Sequence, residues 1–194
     1  MEQNTQNKTE HHSDDILEGQ IRECFGRVVY SHKTHEKCTD ILLARLSTIK
    51  MWQIILSAIT TGGFIAAAFG AGNIGAIIGI IISTSLLVLN AYTKNYDLGE
   101  IAQKHKQAAN DLWLIREKYL SLLTDIRIGT KADKDLITER DTLAGELHTV
   151  YSGAPSTNVK AYKKAQVALQ QNEDMTFTDE EIDAFLPKEL KRCR

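Results

Sequence analysis

The chain has 194 residues, a formal net charge of −2 and a mean hydropathy of −0.24. That size allows one soluble domain plus a small further element, and the near-balanced charge gives no general case for direct nucleic-acid binding. Its three cysteines, Cys24, Cys38 and Cys193, form neither a metal-type spacing nor an even disulfide set, which suits reduced thiols on a cytoplasmic side.

Residues 1–14 are polar and lack periodicity, which predicts a disordered tail in which His11 and His12 are solvated. The first residues carry no signal-peptide pattern, so membrane insertion would have to be driven from within the chain. Asp15, with Glu18 three residues on, has the spacing of a capping box and predicts a helix start. Over 15–50, Leu17, Ile21, Cys24, Val28, Ser31, His35, Cys38, Leu42, Arg45 and Ile49 recur at steps of four and three. This is a heptad seam, weakened at Ser31, His35 and Arg45. No proline interrupts the path into Met51, which predicts one helix running on into the apolar residues beyond Lys50.

The stretch 51–93 contains no Asp, Glu, Lys, Arg or His, and Lys50 and Lys94 close it on either side. Its apolar runs, 51–69 and 74–93, are each about the ~20 residues that span a bilayer core at ~1.5 Å per residue. Only Gly70-Ala71-Gly72-Asn73 separates them, which predicts a two-helix transmembrane hairpin with a tight turn. A hairpin buried inside a soluble core is the alternative, but so short a chain has little else to cover it. Lys33, Lys37, Arg45 and Lys50 precede the hairpin, and Lys94, Lys104 and Lys106 come after it. An uncharged turn between these lysines predicts both termini on the cytoplasmic side, and Trp52 and Tyr92 lie where interfacial aromatics belong.

Two features inside the hairpin point beyond anchoring. Small residues recur every four positions, at Ala58, Gly62, Ala66 and Gly70, then at Gly75, Gly79 and Ser83. Such stripes allow close helix approach, either between the two spans or between subunits of a ring. Hydroxyls cluster at mid-depth, at Ser57, Thr60 and Thr61 and at Ser83, Thr84 and Ser85. Several hairpins in a ring would line an aqueous path with Ser57, Thr60, Thr61, Ser83 and Thr84. Alternatively, each hydroxyl bonds back to its own helix.

Beyond Lys94, residues 94–128 carry Leu98, Ile101, His105, Ala108, Leu112, Ile115, Tyr119, Leu122 and Ile126 at unbroken heptad steps. They predict a stalk helix continuous with the second span and antiparallel to the first helix. His35 and His105 both fall on the seam, ~6 Å apart in height at ~1.5 Å per residue, either as a register-setting polar pair or as a pH-sensitive switch. Gly129 is a helix-terminating glycine. In 130–194, Thr130 predicts a cap, Tyr151-Ser152-Gly153-Ala154-Pro155 a break, 157–171 a modest helix, and Thr178 with Glu181 a capping box ahead of a short helix ended by Pro187. No strand pattern, phosphate loop, metal-type motif or nucleophile elbow is present, so catalysis has no support and no cofactor is expected. The expected fold class is all-α, a transmembrane hairpin continuous with a cytosolic antiparallel helical stalk and bundle.

This arrangement resembles the SLATT group, the SMODS- and SLOG-associating two-transmembrane effector domains of bacterial conflict systems. The terminal Thr178-Asp179-Glu180-Glu181-Ile182-Asp183-Ala184-Phe185-Leu186-Pro187 resembles the end of the fifth subfamily. The resemblance implies a homo-oligomer in the bacterial inner membrane that permeabilises it during anti-phage defence. It also implies a partner enzyme, a nucleotidyltransferase or a reverse transcriptase, and a nucleotide second messenger as trigger. A membrane-anchored scaffold, with the bundle binding a partner protein, is the competing expectation.

Overall fold

One helix runs the length of the molecule and every other long helix packs along it. The computed structural model describes residues 2–68, 72–172, 175–188 and 191–192, with side chains for 16–63 and from 75 onward within those ranges. Helix α1 (Glu2–Ala68) has 67 residues, about 100 Å at ~1.5 Å per residue. It is followed by α2 (Gly72–Asn95), α3 (Leu98–Ile128), α4 (Asp133–Gly153), α5 (Val159–Gln170) and α6 (Asp179–Phe185). Among the described residues there is no strand, and the fold is all-α as the sequence predicts. The upper part of α1 pairs with α2; its lower part packs against α3 and α5, while α4 packs chiefly on α3 and closes the seam between α3 and α1.

Helix α1 already runs through 2–14, where a disordered tail is expected, so Asp15 and Glu18 cap nothing. The segment before Gly19 contains neither glycine nor proline, so nothing in the backbone halts a helix propagating toward the N-terminus.

The bundle core is the seam between α1 and α3. Ile21 and Val28 of α1 meet Leu112, Ile115, Tyr119 and Leu122 of α3, and Leu136 and Leu143 of α4 close the cluster. Leu112 is completely buried. Leu112→Ala is therefore expected to cost about 2–5 kcal/mol, read as a lowered thermal midpoint of the purified protein.

Near the hairpin the seam changes character. Ile101 is exposed and Ala102 takes its place, so the buried face reads Leu98, Ala102, His105, Ala108 and Ala109. These alanines admit a close approach of α1. Thr39 Oγ1 lies 3.1 Å from the carbonyl of His35 and 3.4 Å from that of Ala102, donating to both. At Gly99 an added Cβ would come within 3.1 Å of Asp97 Oδ1 and 3.6 Å of Leu46 Cδ2.

The second span and the stalk helix are not continuous. Helix α2 ends at Asn95, and α3 starts afresh at Leu98 with Asp97 as its N-cap, whose carboxylate accepts from the Glu100 backbone N–H at 2.9 Å. A capped start releases the chain from the axis of α2.

The remaining boundaries reflect local chemistry. Gly129 ends α3 at φ 72°, in the left-handed region, with its N–H bonded to the carbonyls of Asp125 and Ile126. No atom lies within 4 Å of a Cβ built there. The cost of Gly129→Ala is therefore backbone strain alone, about 1–2 kcal/mol, and a matching loss on thermal unfolding is the expected result. Thr130 does not cap α4 as expected; its hydroxyl turns back to the Asp125 carbonyl, and α4 begins after Ala132 with Asp133 and Asp135 in its first turn. Helix α5 begins two residues later than expected, after Asn158, whose side chain accepts from Ala161 N. The Thr178–Glu181 capping box of α6 forms as expected.

Candidate functional site

The charge-free hairpin and the neck beneath it hold the residues with functional potential. Helices α1 and α2 each contain a stretch long and apolar enough to cross a membrane, and none of either stretch is buried inside the chain. Ile54, Ile59, Ile77, Ile80, Leu87 and Val88 are exposed on the hairpin surface. The rest of the chain therefore does not cover the hairpin, as a soluble core would require.

A groove of about 360 Å³ runs along the hairpin, lined by Thr60, Gly63, Gly75, Ala76, Gly79, Ile80, Ser83 and Thr84. It brings Gly75, Gly79 and Ser83 of one small-residue stripe together with Thr60 and Thr84 of the hydroxyl set. Ala58 and Gly62 of the other stripe are exposed outside it. Ala66 lies in α1 with its side chain outside the described ones, and Gly70 lies outside the described residues with Ala71 of the expected turn, whereas Gly72 and Asn73 already belong to α2. A Cβ built at Gly62, Gly63 or Gly79 meets nothing within 4 Å. These three glycines are thus not required for the contact between the two spans of one chain.

The hydroxyls make local bonds. Thr60 donates to the Leu56 carbonyl at 2.8 Å, Thr61 to Ser57 at 3.0 Å, Thr84 to Ile80 at 2.8 Å and Ser85 to Ile81 at 2.9 Å. Each lies four residues after its acceptor, the usual way a threonine or serine satisfies its O–H in a membrane helix. Ser57 and Ser83 are exposed.

Sequence reasoning missed a polar clasp at the base of the hairpin. The Gln53 amide donates to Asn90 Oδ1 at 2.9 Å and lies 3.3 Å from Thr93 Oγ1. Below it Arg45 sits over the Tyr92 ring at 5.7 Å, and Tyr92 stacks on Tyr96 at 5.1 Å. Arg45, expected on the seam, is instead exposed beside this aromatic pair. The available signal was a pair of uncharged amides, Gln53 and Asn90, in a stretch whose only other amide, Asn73, lies at the expected turn.

About three helical turns along α1 from Arg45 into the bundle, His35 and His105 meet, with Nδ1 atoms 2.9 Å apart and ring centroids 5.0 Å apart. Both are 4% exposed. The expected ~6 Å offset closes because the chain leaves helix at Tyr96 and Asp97. There Asp97 takes φ −74° and ψ 87°, and the Leu98 N–H bonds to the Tyr96 carbonyl at 2.9 Å, a tight turn that re-sets α3 against α1 instead of continuing α2. Burial, with His105 and then His32 adding repulsion, lowers the His35 pKa to about 4, and burial lowers that of His105. The pair is therefore neutral near pH 7, one Nδ1–H donating to the other Nδ1. His32, one turn away, is also buried, and its Nδ1 has no hydrogen-bond partner. Burial lowers its pKa, opposed by Glu36, with Arg116, Lys33 and Lys106 adding to the lowering. Cys38, buried beside them, accepts a weak bond from Asn158 at 3.7 Å, and burial raises its thiol pKa. Among the described residues no group of three or more His, Cys, Asp or Glu side chains is arranged to hold a metal.

Residues 17–181 match the family described as SMODS and SLOG-associating 2TM effector domain family 4. The chain belongs to this family. The match spans α1 from Leu17, the hairpin, the histidine neck and the bundle into α6, so it rests on the whole of this architecture. It corrects the subfamily from the fifth to the fourth. The terminal segment that suggested the fifth lies largely beyond the match, which ends at Glu181. By its description the family is one of two-transmembrane effectors, and the two exposed apolar helices of the hairpin fit that description. No curated protein and no solved structure matches the chain.

Proposed function

We propose that this effector domain acts in bacterial anti-phage defence by assembling in the inner membrane and permeabilising it when activated. The observation that carries this reading is the hairpin groove. Gly63 and Gly79 in it are open to close approach yet not used within the chain, the feature by which membrane helices recruit partners where lipid removes the hydrophobic drive. A neighbouring hairpin entering the groove would bring Ser83 and the Thr60 and Thr84 hydroxyls to a subunit boundary. The lysines and Arg45 flanking the hairpin support an orientation with both termini in the cytoplasm. The trigger in this reading is a partner enzyme of the same defence system, a nucleotidyltransferase acting through a nucleotide second messenger or a reverse transcriptase. Contact is with the lipid bilayer and with further copies, not directly with nucleic acid.

A membrane-anchored scaffold is the second reading, and it too has a specific observation in its favour. Thr60, Thr61 and Thr84 satisfy their hydroxyls within their own helices, so none of them requires water. Dye release from liposomes carrying the purified protein together with its partner system separates the two. Leak that rises with protein density supports permeabilisation. Absence of leak at every density, with the hairpin inserted, leaves the scaffold.

A further inference from the structure

Outside the hairpin, two helical faces are left without a partner and are opposite in charge. Helix α5 buries Ala161, Ala165 and Ala168 against α1. Its opposite face presents Val159, Lys163 and Val167, with Lys160 and Lys164 alongside, and Val159 is 71% exposed. The helix contains no acidic residue, and among the described residues none of its three lysines is ion-paired. Helix α6 is the converse. Its first turn carries Asp179, Glu180 and Glu181. Ile182 and Phe185, three residues apart and so on one face, are exposed, Phe185 at 84%, and Phe177 just upstream is exposed as well. Among the described residues no other helix packs along α6, although local bonds hold its shape: the capping box fixes its start, and Asp183 accepts from the Arg192 backbone N–H at 3.1 Å. A seven-residue helix held by its own caps, with a nearly bare phenylalanine, presents a ready docking element.

We infer that α6 of one copy docks along the outer face of α5 of a neighbouring copy, Ile182 and Phe185 against Val159 and Val167, and Glu181, which flanks Phe185 on the same side of α6, facing Lys160 and Lys163. The pairing of a basic apolar face with an acidic apolar one makes a second copy of this chain the occupant. The contact is heterologous, since the two surfaces differ, and heterologous contacts propagate into rings or open chains rather than closing as a two-fold dimer. That geometry would set hairpins side by side around an axis. The inference rests on the assembly proposed under the function and names the cytoplasmic contact that directs it.

The test uses full-length chains bearing Cys193→Ser, in two differently tagged forms, one with Val159→Cys and one with Phe185→Cys, co-expressed in membranes and oxidised. A mixed-tag disulfide dimer is expected, with loss of that dimer when Lys160→Glu and Lys163→Glu are added to the first chain. Pairing the first chain with an Ile137→Cys chain, substituted at another exposed apolar site, should give none. Amine cross-linking of the same membranes reports assembly independently. Oligomers without the mixed dimer overturn the α5–α6 contact and leave the assembly intact, whereas absence of oligomers overturns the assembly itself. A mixed dimer indifferent to the charge reversals overturns the pairing as stated. So does a reversal that weakens binding of the purified chain to anionic phosphatidylglycerol vesicles while sparing the disulfide, since lipid headgroups would then be what the lysines meet.

Discussion

Gly79→Leu is expected to reduce dye release to background while leaving membrane insertion, helix content and thermal midpoint unchanged. The separation comes from the geometry. A Cβ at Gly79 meets nothing within its own chain, so a larger side chain costs little in an isolated hairpin surrounded by lipid. Gly79 nevertheless lies in the groove with Gly75 and Ser83, and a leucine there holds a neighbouring helix several ångströms further off. In a membrane, helix association depends on van der Waals contact and interhelical bonds, so that separation removes most of the attraction. Gly62→Leu, open within the chain but outside the groove, is the matched comparison and should have the smaller effect. Equal leak from the Gly79→Leu and parent proteins would show that the groove is not an assembly face.

The second large effect concerns acid. The His35 pKa lies at about 4 against 6.5 for the unfolded chain. Between those values the unfolded state binds the proton and the folded state does not. Stability is therefore full above pH 6.5, falls as pH drops through 6.5 toward about 4, and levels off below. Linkage at 1.36 kcal/mol per pKa unit bounds the loss from this residue at about 3 kcal/mol. The lowered pKa values of His105 and His32 act in the same direction. The first proton on the pair can still be shared between the two Nδ1 atoms, but it is a buried charge; a second leaves two N–H donors facing each other. His35→Leu with His105→Leu should raise the midpoint at pH 5 more than at pH 7.5, flattening the pH profile. A profile as steep as that of the parent would place the acid sensitivity elsewhere, with His32 as the next residue to replace.

Periodicity and glycine carried much of this fold. The nearly unbroken steps from Leu98 to Leu122 track the buried face of α3, and Gly129 and the Thr178–Glu181 box mark real helix ends. The break at Tyr96–Asp97 was harder to see, because apolar periodicity runs through it. Its signal was present as Asp97 followed three residues later by Glu100, the same cap spacing that predicted α6 correctly. Asp15 and Glu18 share that spacing and cap nothing, which shows that the pattern alone does not stop a helix when the preceding residues also favour one. In the site, the heptad placed His35 and His105 on one seam, but continuous helix numbering left them ~6 Å apart in height because it did not include the turn at Asp97. The Gln53–Asn90 clasp was hidden for another reason. Charge was the guide to polarity in the hairpin, and two amides at unrelated positions acquire significance only when antiparallel pairing brings them to 2.9 Å. The open space around Gly62, Gly63 and Gly79 could not be read from a stripe of small residues, which is the same sequence pattern whether its partner lies within the chain or outside it.

The interruption at Asp97 gives the two legs of the hairpin different mechanical properties. Helix α1 is an unbroken strut, so the bundle and the first span turn together as one rod. Helix α2 joins the bundle through the two-residue break at Tyr96 and Asp97, and what sets its angle is its side-chain contact with α1, the Gln53–Asn90 clasp and the Arg45–Tyr92 stack. Six of the eight residues lining the groove belong to α2. The face proposed to meet neighbours is thus carried mainly by the interrupted leg, while the uninterrupted one serves as its frame.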